Sequence, residues 1–197
     1  MDMSAQQPIV IFTAPSGAGK TSIVRYLLER IPQLSFSVSA ATREARKGEV
    51  DGKDYYFIAL QAFQHLIQEN AFAEWEMVYE GKYYGTLRSE LERIWASGKV
   101  PVLDIDVKGA IHVEQQYPLH TCSVFVQPPS VSELKKRLES RGTETPQSIE
   151  TRVNKAEYEL SFQSHFKTTI VNQELSQACK QAEDLVRGFL RQFYPQI

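Results

Sequence analysis

The run Pro8-Ile9-Val10-Ile11-Phe12-Thr13-Ala14-Pro15-Ser16-Gly17-Ala18-Gly19-Lys20-Thr21 decides how this chain is read. Ile9 to Thr13 is a short, continuous apolar stretch. That pattern suits a strand buried on both faces of a parallel sheet. Ala14 to Thr21 then matches G-x-x-x-x-G-K-[ST] at every fixed position except the first, where Ala14 replaces Gly. Ile23, Val24, Leu27 and Leu28 follow on one helical stripe over residues 20–30. Small residues between a strand and a helix let backbone N–H groups close around phosphate oxygens, and the helix N-terminus adds its positive dipole. In such a loop Lys20 reaches the β- and γ-phosphates and the Thr21 hydroxyl ligates Mg²⁺ directly. Ala14, Pro15, Ser16, Gly17, Ala18, Gly19, Lys20, Thr21 and Ser22 are thus the expected nucleotide-phosphate residues. Ala14 is compatible with the loop if its φ is negative.

Outward from this loop, buried strands read at Val100-Pro101-Val102-Leu103-Asp104, Cys122-Ser123-Val124-Phe125-Val126 and Thr168-Thr169-Ile170-Val171. Helical patterns lie between them at roughly 87–97, 107–116, 130–140 and 146–163. A last one near 174–193 carries Ala178, Ala182, Leu185, Val186 and Phe189. Ser130 with Glu133 forms a capping box, and Pro146 suits a first helical residue. Strands alternating with helices imply a parallel α/β sheet of about five strands in a three-layer core. Residues 35 to 86 break the rhythm. Phe36–Ser39, Asp54–Ile58, Glu74–Val78 and Lys82–Gly85 read as short strands of a mixed sheet and 60–70 as a helix, an α+β insertion in the core.

The 197 residues include 42% hydrophobic and 23% charged side chains, the balance of an ordinary globular chain. Twenty-two Lys+Arg against 24 Asp+Glu give a net charge of −2, without the basic excess of a nucleic-acid-binding domain. Nothing approaches the apolar run a membrane span needs. Met1 to Gln7 lacks the basic start of a secretory signal. Two cysteines, Cys122 and Cys179, give neither a disulfide framework nor a zinc site. A cytoplasmic protein, monomer or homodimer, with no nucleic-acid polymer or membrane partner, is expected. The four histidines are scattered and suit packing or surface roles.

The insertion carries further motifs. Ser39-Ala40-Ala41-Thr42-Arg43-Glu44-Ala45-Arg46 sets two arginines three apart, followed by Gly48-Glu49-Val50-Asp51-Gly52-Lys53-Asp54-Tyr55, Glu74-Trp75 and Tyr83-Tyr84-Gly85-Thr86. With the phosphate loop, Leu103-Asp104-Ile105-Asp106 and Lys135-Lys136-Arg137-Leu138-Glu139-Ser140-Arg141-Gly142-Thr143-Glu144, the chain resembles guanylate kinase, the ATP:GMP phosphotransferase of purine nucleotide metabolism, over nearly its whole length.

The resemblance implies a P-loop NTPase fold acting on Mg·ATP and GMP. It assigns the GMP phosphate to Arg43, Arg46, Tyr55 and Tyr84, and two guanidinium forks suit a doubly charged monophosphate. It assigns guanine to Ser39, Glu74, Thr86 and Asp106. A carboxylate can accept from guanine N1–H and the N2 amino group together, whereas adenine presents a lone pair at N1. Ser39 and Thr86 can donate to O6 or N7. Asp104 is expected near Mg²⁺, through water, or near the incoming phosphate. Lys108 stands where the family usually has Gln.

Arg137, Arg141 and Arg152 are, by the same resemblance, the lid and core arginines that act with Lys20 on the transferred phosphoryl. Glu133 and Arg137 also suit a plain i,i+4 pair. Asn172, at the end of the late strand, is expected beside the adenine. The implied organisation is one domain, 1–197. Its core spans about 1–36, 87–134 and 156–197, with a GMP-binding insertion at 37–86 and a lid at 135–155. The alternatives are a non-catalytic guanylate-kinase-like module that binds phosphopeptides, and a related kinase with another phosphate acceptor.

Overall fold

Ile9–Thr13 forms the central strand, β1, of a five-stranded sheet in a computed structural model that describes residues 7–140 and 145–196. All five residues of β1 are buried, as a continuous apolar run demands. Val10 and Phe12 face one helical layer, while Ile9 and Ile11 face the other. That alternation is what makes the core three layers thick.

β7 (Val100–Ile105) and β8 (Thr121–Gln127) flank β1, both parallel to it. Outside them lie β2 (Leu34–Phe36) and β9 (Thr168–Val171), giving the order β2-β7-β1-β8-β9. α1 (Lys20–Arg30) and α7 (Leu175–Leu190) cover the Val10–Phe12 face through Ile23, Val24, Leu27, Ala182 and Val186. α3 (Arg88–Ala96) and α4 (Val107–Gln116) cover the other through Leu91, Ala110 and Val113. Truncating a fully buried residue such as Leu27 or Leu103 to Ala should cost about 2–5 kcal/mol.

One strand differs from the sequence reading. Phe36–Ser39 reads as part of the insertion, yet Leu34–Phe36 pairs in parallel with Val100–Val102 and supplies the core's fifth strand. Leu34 is buried and seals the edge of that core, so its burial, more than its short strand pattern, fixes the pairing.

The insertion is a second, mixed sheet of order β4-β3-β6-β5. Its strands are β3 (Ala40–Ala41), β4 (Tyr56–Phe57), β5 (Phe72–Tyr79) and β6 (Lys82–Leu87). α2 (Leu60–Gln68) packs on it by stacking Phe63 on Phe72, ring centroids 4.4 Å apart. Two segments join the sheets, residues 37–39 and the start of α3. Glu90, 3% exposed, ties them together: it accepts from Val38 N–H at 3.1 Å and pairs with Arg93 at 2.8 Å.

α5 (Val131–Ser140) and α6 (Pro146–Leu160) pack through Leu134, Leu138, Ile149 and Ala156. Ser130 caps α5 by accepting from Glu133 N–H at 3.1 Å. Thr145 caps α6 ahead of Pro146. Leu138 and Leu134 lie against Gly17, so α5 rests on the phosphate loop. No described helix is long and apolar enough to cross a membrane.

Candidate functional site

The loop from Ala14 leaves the C-terminal end of β1 with β7 on one side and β8 on the other, in the crevice where open α/β sheets place ligands. Gly17 and Gly19 sit at φ +96° and +94°, a region that costs residues with a Cβ. Among the described residues Asn70 is the non-glycine at positive φ, so Ala14 keeps the negative φ this position requires. The first turn of α1 carries no acidic side chain, which leaves its unpaired N–H groups suited to an anion.

β7 delivers Asp104 opposite this turn, its register fixed by pairing with Phe12. Asp104 Oδ1 is 2.6 Å from Lys20 Nζ, and Oδ2 accepts from the Thr21 hydroxyl at 2.9 Å. Lys20 also donates to the Ile105 carbonyl at 2.8 Å. Burial alone would lower the Lys20 pKa, but the Asp104 carboxylate outweighs it, and the net shift is upward. Lys20 is therefore a firmly charged cation.

One cleft of about 280 Å³ runs from this loop to the insertion. Ala14, Pro15, Ser16, Gly17, Gly19, Lys20, Thr21 and Ser22 line one end; Ser39, Arg43, Arg46, Tyr55, Glu74 and Tyr84 line the other. Asp104 and Asp106 lie on its wall, as do Arg152, Lys155 and Glu159 of α6. Residues from four separate stretches of sequence are thereby brought to one space.

At the insertion end the Arg43 guanidinium is gripped by Glu49, with Nη1 and Nη2 2.6 and 2.7 Å from its two oxygens. Nε donates to Tyr84 Oη at 3.2 Å, and the Tyr55 ring lies 4.8 Å beneath the guanidinium. This bidentate bond raises the Arg43 pKa and lowers that of Glu49. Arg46 is exposed beside it and lines the same cleft.

Glu74 lies on β5, 6% exposed. Its Oε1 accepts from the Thr86 hydroxyl at 2.6 Å across the β5–β6 pair. Burial, reinforced by the nearby Asp106 carboxylate and opposed by Thr86, pushes its carboxyl up to about 7. Its second oxygen packs against α4, where a Cβ on Gly109 would fall 2.5 Å from Oε2. Asp106 caps α4 by accepting from Gly109 N–H at 2.9 Å.

The expected cations separate. Lys20 and Arg152 line the cleft, and Arg152 Nη1 donates to Ser16 Oγ at 2.7 Å. Arg137 instead forms the i,i+4 pair with Glu133 at 3.3 Å and donates to the Asn172 carbonyl at 3.0 Å. Arg141 lies outside the described residues. Asn172 is 3% exposed, and its amide donates to the Ala18 carbonyl at 2.7 Å. Its side chain thus faces the loop backbone and is not on the cleft wall. Thr86 is fully buried and spends its hydroxyl proton on Glu74. Lys108 is exposed on α4, its ammonium 5.8 Å from the centre of the Tyr158 ring.

Three cleft residues, and the carboxylate that grips Arg43, escape a sequence reading built on motifs. Glu49 was visible as the carboxylate three residues after Arg46. Glu76 follows Glu74 by two, hence on the same face of β5. Lys155 and Glu159 lie three and seven residues beyond Arg152, one helical face. Lys155 Nζ is 3.2 Å from Glu159 and 4.8 Å from the centre of the Tyr79 ring. Burial raises the Glu159 pKa against the opposing charge of Lys155.

Comparison with known proteins supplies independent findings. The family model described as guanylate kinase matches residues 5–188. A guanylate kinase of Bacteroides fragilis is 41% identical over 187 residues, covering 95% of this chain and 92% of the relative. One of Salinibacter ruber is 44% identical over 182 residues, covering 92% and 96%. The crystal structure of guanylate kinase from Anaplasma phagocytophilum superposes with a TM-score of 0.76 at 31% identity, covering 92% of this chain and 85% of that one.

Proposed function

This chain belongs to the guanylate kinase family, and from that premise we propose how its cleft transfers a phosphoryl group from ATP to GMP. The enzyme is a nucleoside monophosphate kinase. The observation that carries the assignment of its parts is that the phosphate loop and the Arg43–Tyr84–Glu74 set open into one cleft. A donor phosphate chain at one end and a monophosphate at the other meet at Lys20 and Asp104.

The residues beside Asp104 suit Mg²⁺. The Thr21 hydroxyl and an Asp104 carboxylate oxygen are 2.9 Å apart, close to the roughly 3 Å edge of an octahedron with Mg–O bonds of about 2.1 Å. These two would hold the ion, Thr21 directly and Asp104 directly or through water. When bound there, Mg²⁺ supplies charge neutralisation on the donor phosphates.

The N–H groups of the Gly17–Ser22 turn cradle the donor phosphates, and Lys20 exchanges its Asp104 pair for the β- and γ-phosphates. At the far end, Arg43, Arg46, Tyr55 and Tyr84 seat the acceptor phosphate. Glu49, with the Glu44 carbonyl and Tyr84, holds Arg43 flat and leaves one Nη2 N–H for the phosphate. Glu74, braced by Thr86, accepts from guanine N1–H and N2–H, with Ser39 and Asp106 bordering the base. An oxygen of the GMP phosphate then bonds to the γ-phosphorus as its bond to the β–γ bridging oxygen breaks, leaving ADP and GDP. Lys20 and Arg152 compensate the charge spread over the transferring group, joined by the lid arginines Arg137 and Arg141. Positioning and electrostatics suffice, with no covalent enzyme intermediate.

We assign residues 37–86 to the acceptor-binding insertion and 135–155 to the lid within one domain, and the cytoplasm as the compartment. Both cysteines are free, which fits a reducing environment. The intact Lys20–Thr21–Asp104 set favours catalysis over a phosphopeptide-binding role. ADP production by the purified chain with Mg·ATP and GMP, AMP, dTMP or no acceptor tests the reading, with Lys20→Ala as the control. Rapid turnover confined to GMP and lost in the variant supports it. Equal turnover with AMP contradicts it.

A further inference from the structure

The chain leaves β9 directly beneath the phosphate loop, and Asn172 is the first residue after that strand. Its backbone N–H is fixed by the Gln127 carbonyl at 2.8 Å. Its amide Nδ2 donates to the Ala18 carbonyl at 2.7 Å, a buried bond. Its own carbonyl accepts from Arg137 Nη2 at 3.0 Å. At Gly19 a Cβ would overlap Asn172 Nδ2. Asn172 thus touches the loop, excludes a side chain from the loop's second glycine, and docks an arginine of α5.

We propose that Asn172 is a positioning residue that shapes the phosphate loop for the donor's phosphates, whatever base they carry, and keeps Arg137 in register with it. The proposal rests on the reading of the loop as the donor site. Ser16-Gly17-Ala18-Gly19 is built of small residues with little intrinsic preference for one conformation. In a planar trans peptide the C=O and the following N–H point in opposite directions. Pinning the Ala18 oxygen onto Asn172 therefore turns the Gly19 N–H to the other side of that peptide, and Gly19 lines the cleft. A flipped peptide would present a carbonyl oxygen to the phosphates. The buried amide removes that alternative before any ligand arrives, which is preorganisation in its ordinary sense.

Two variants of the full chain, Asn172→Ala and the isosteric Asn172→Asp, test this against two probes, Mg·ADP and inorganic tripolyphosphate, which has no base. Asn172→Ala should weaken both by the same factor, at least about tenfold, and leave the KM for GMP unchanged. At pH 8 the carboxylate of Asn172→Asp has no proton to donate, so its loss should match or exceed that of the alanine variant. Burial against the Ala18 carbonyl should raise this carboxyl above the usual carboxylate range, so lowering the pH toward 5.5 restores an O–H donor to Ala18. Binding by Asn172→Asp should then recover relative to Asn172→Ala, a recovery that mere loss of packing does not produce. A loss confined to ADP would overturn the proposal in favour of an adenine contact. Unchanged tripolyphosphate binding in folded variants, or no acid recovery, would also overturn it. Lys20→Ala is the reference: if it too binds tripolyphosphate normally, the donor-site reading itself falls, and the proposal with it.

Discussion

Lys20 Nζ lies 2.6 Å from Asp104 Oδ1, an ion pair that joins the phosphate loop to the end of β7. The Asp104 carboxylate also accepts from Thr21 at 2.9 Å, so one side chain holds both the cation and the hydroxyl meant for the donor. On the proposed reading, Mg·ATP would exchange that internal pair for phosphate contacts to Lys20, with Thr21 and Asp104 holding the ion.

Removing the cation leaves Asp104 without its partner and the transferring phosphoryl without compensation. Lys20→Ala should lower kcat by at least about 10³-fold, the scale of lost charge stabilisation at a reacting group. Asp104→Asn should lower it by about 10²-fold or more and raise the Mg²⁺ concentration needed for half-maximal rate. Steady-state rates across a Mg²⁺ titration read both effects. A normal Mg²⁺ dependence in Asp104→Asn would remove Asp104 from the metal's surroundings.

On the proposed reading, Glu74 recognises guanine. Glu74→Gln turns one acceptor into an amide donor facing guanine N1–H, and kcat/KM for GMP should fall by about 10³- to 10⁴-fold. The KM for ATP should stay within about twofold, because the phosphate loop is untouched. A comparable loss in both constants would indicate a collapsed cleft, not a lost base contact.

The same carboxyl gives the enzyme a pH signature. Burial raises it from 4.5 to about 7, so the folded chain binds this proton more tightly than the unfolded chain. Its favourable contribution is full below pH 4.5 and is lost as pH rises to about 7. By then the ionised form costs about 3 kcal/mol. Glu74→Gln should therefore unfold at a higher temperature than the parent at pH 8, with the gap closing toward pH 4.5. Affinity for GMP runs the other way, falling as pH drops below about 7. At pH 7, GMP binding should release protons from Glu74, seen as a buffer-dependent heat in calorimetry. Proton release unchanged in Glu74→Gln would contradict this assignment.

How much of this was legible beforehand depended on whether a signal is local. Ile9 to Thr21 announced a strand, a loop and a helix because apolar run, small residues and amphipathic stripe are contiguous. The long helices and buried strands followed for the same reason. The strand at Leu34–Phe36 reads two residues late, as Phe36–Ser39 of the mixed sheet, because a three-residue strand has too little pattern to show which sheet it joins, and only its parallel pairing with Val100–Val102 decides. For Asn172 and Thr86 the motifs show residue type but not the direction of a side chain. Their hydrogen bonds to Ala18 and Glu74 are tertiary facts. Glu49 was invisible as a partner because its value lies in the bidentate grip on Arg43.

Gly109 follows from the position of Glu74. A methyl group there would stand 2.5 Å from Glu74 Oε2 and force the carboxylate away from α4. Gly109→Ala gains helix propensity of about 1 kcal/mol, so it should fold, yet it should raise the KM for GMP about tenfold or more while sparing that for ATP. An unchanged KM for GMP would show that Glu74 can shift without loss of base reading.

The most direct test follows phosphorus itself. Phosphorus NMR of the enzyme with Mg·ATP and GMP should show ADP and GDP appearing in equal amounts, with no inorganic phosphate and no reaction in Lys20→Ala. Inorganic phosphate accumulating with ADP while GMP stays unchanged would contradict direct transfer between the two ends of this cleft.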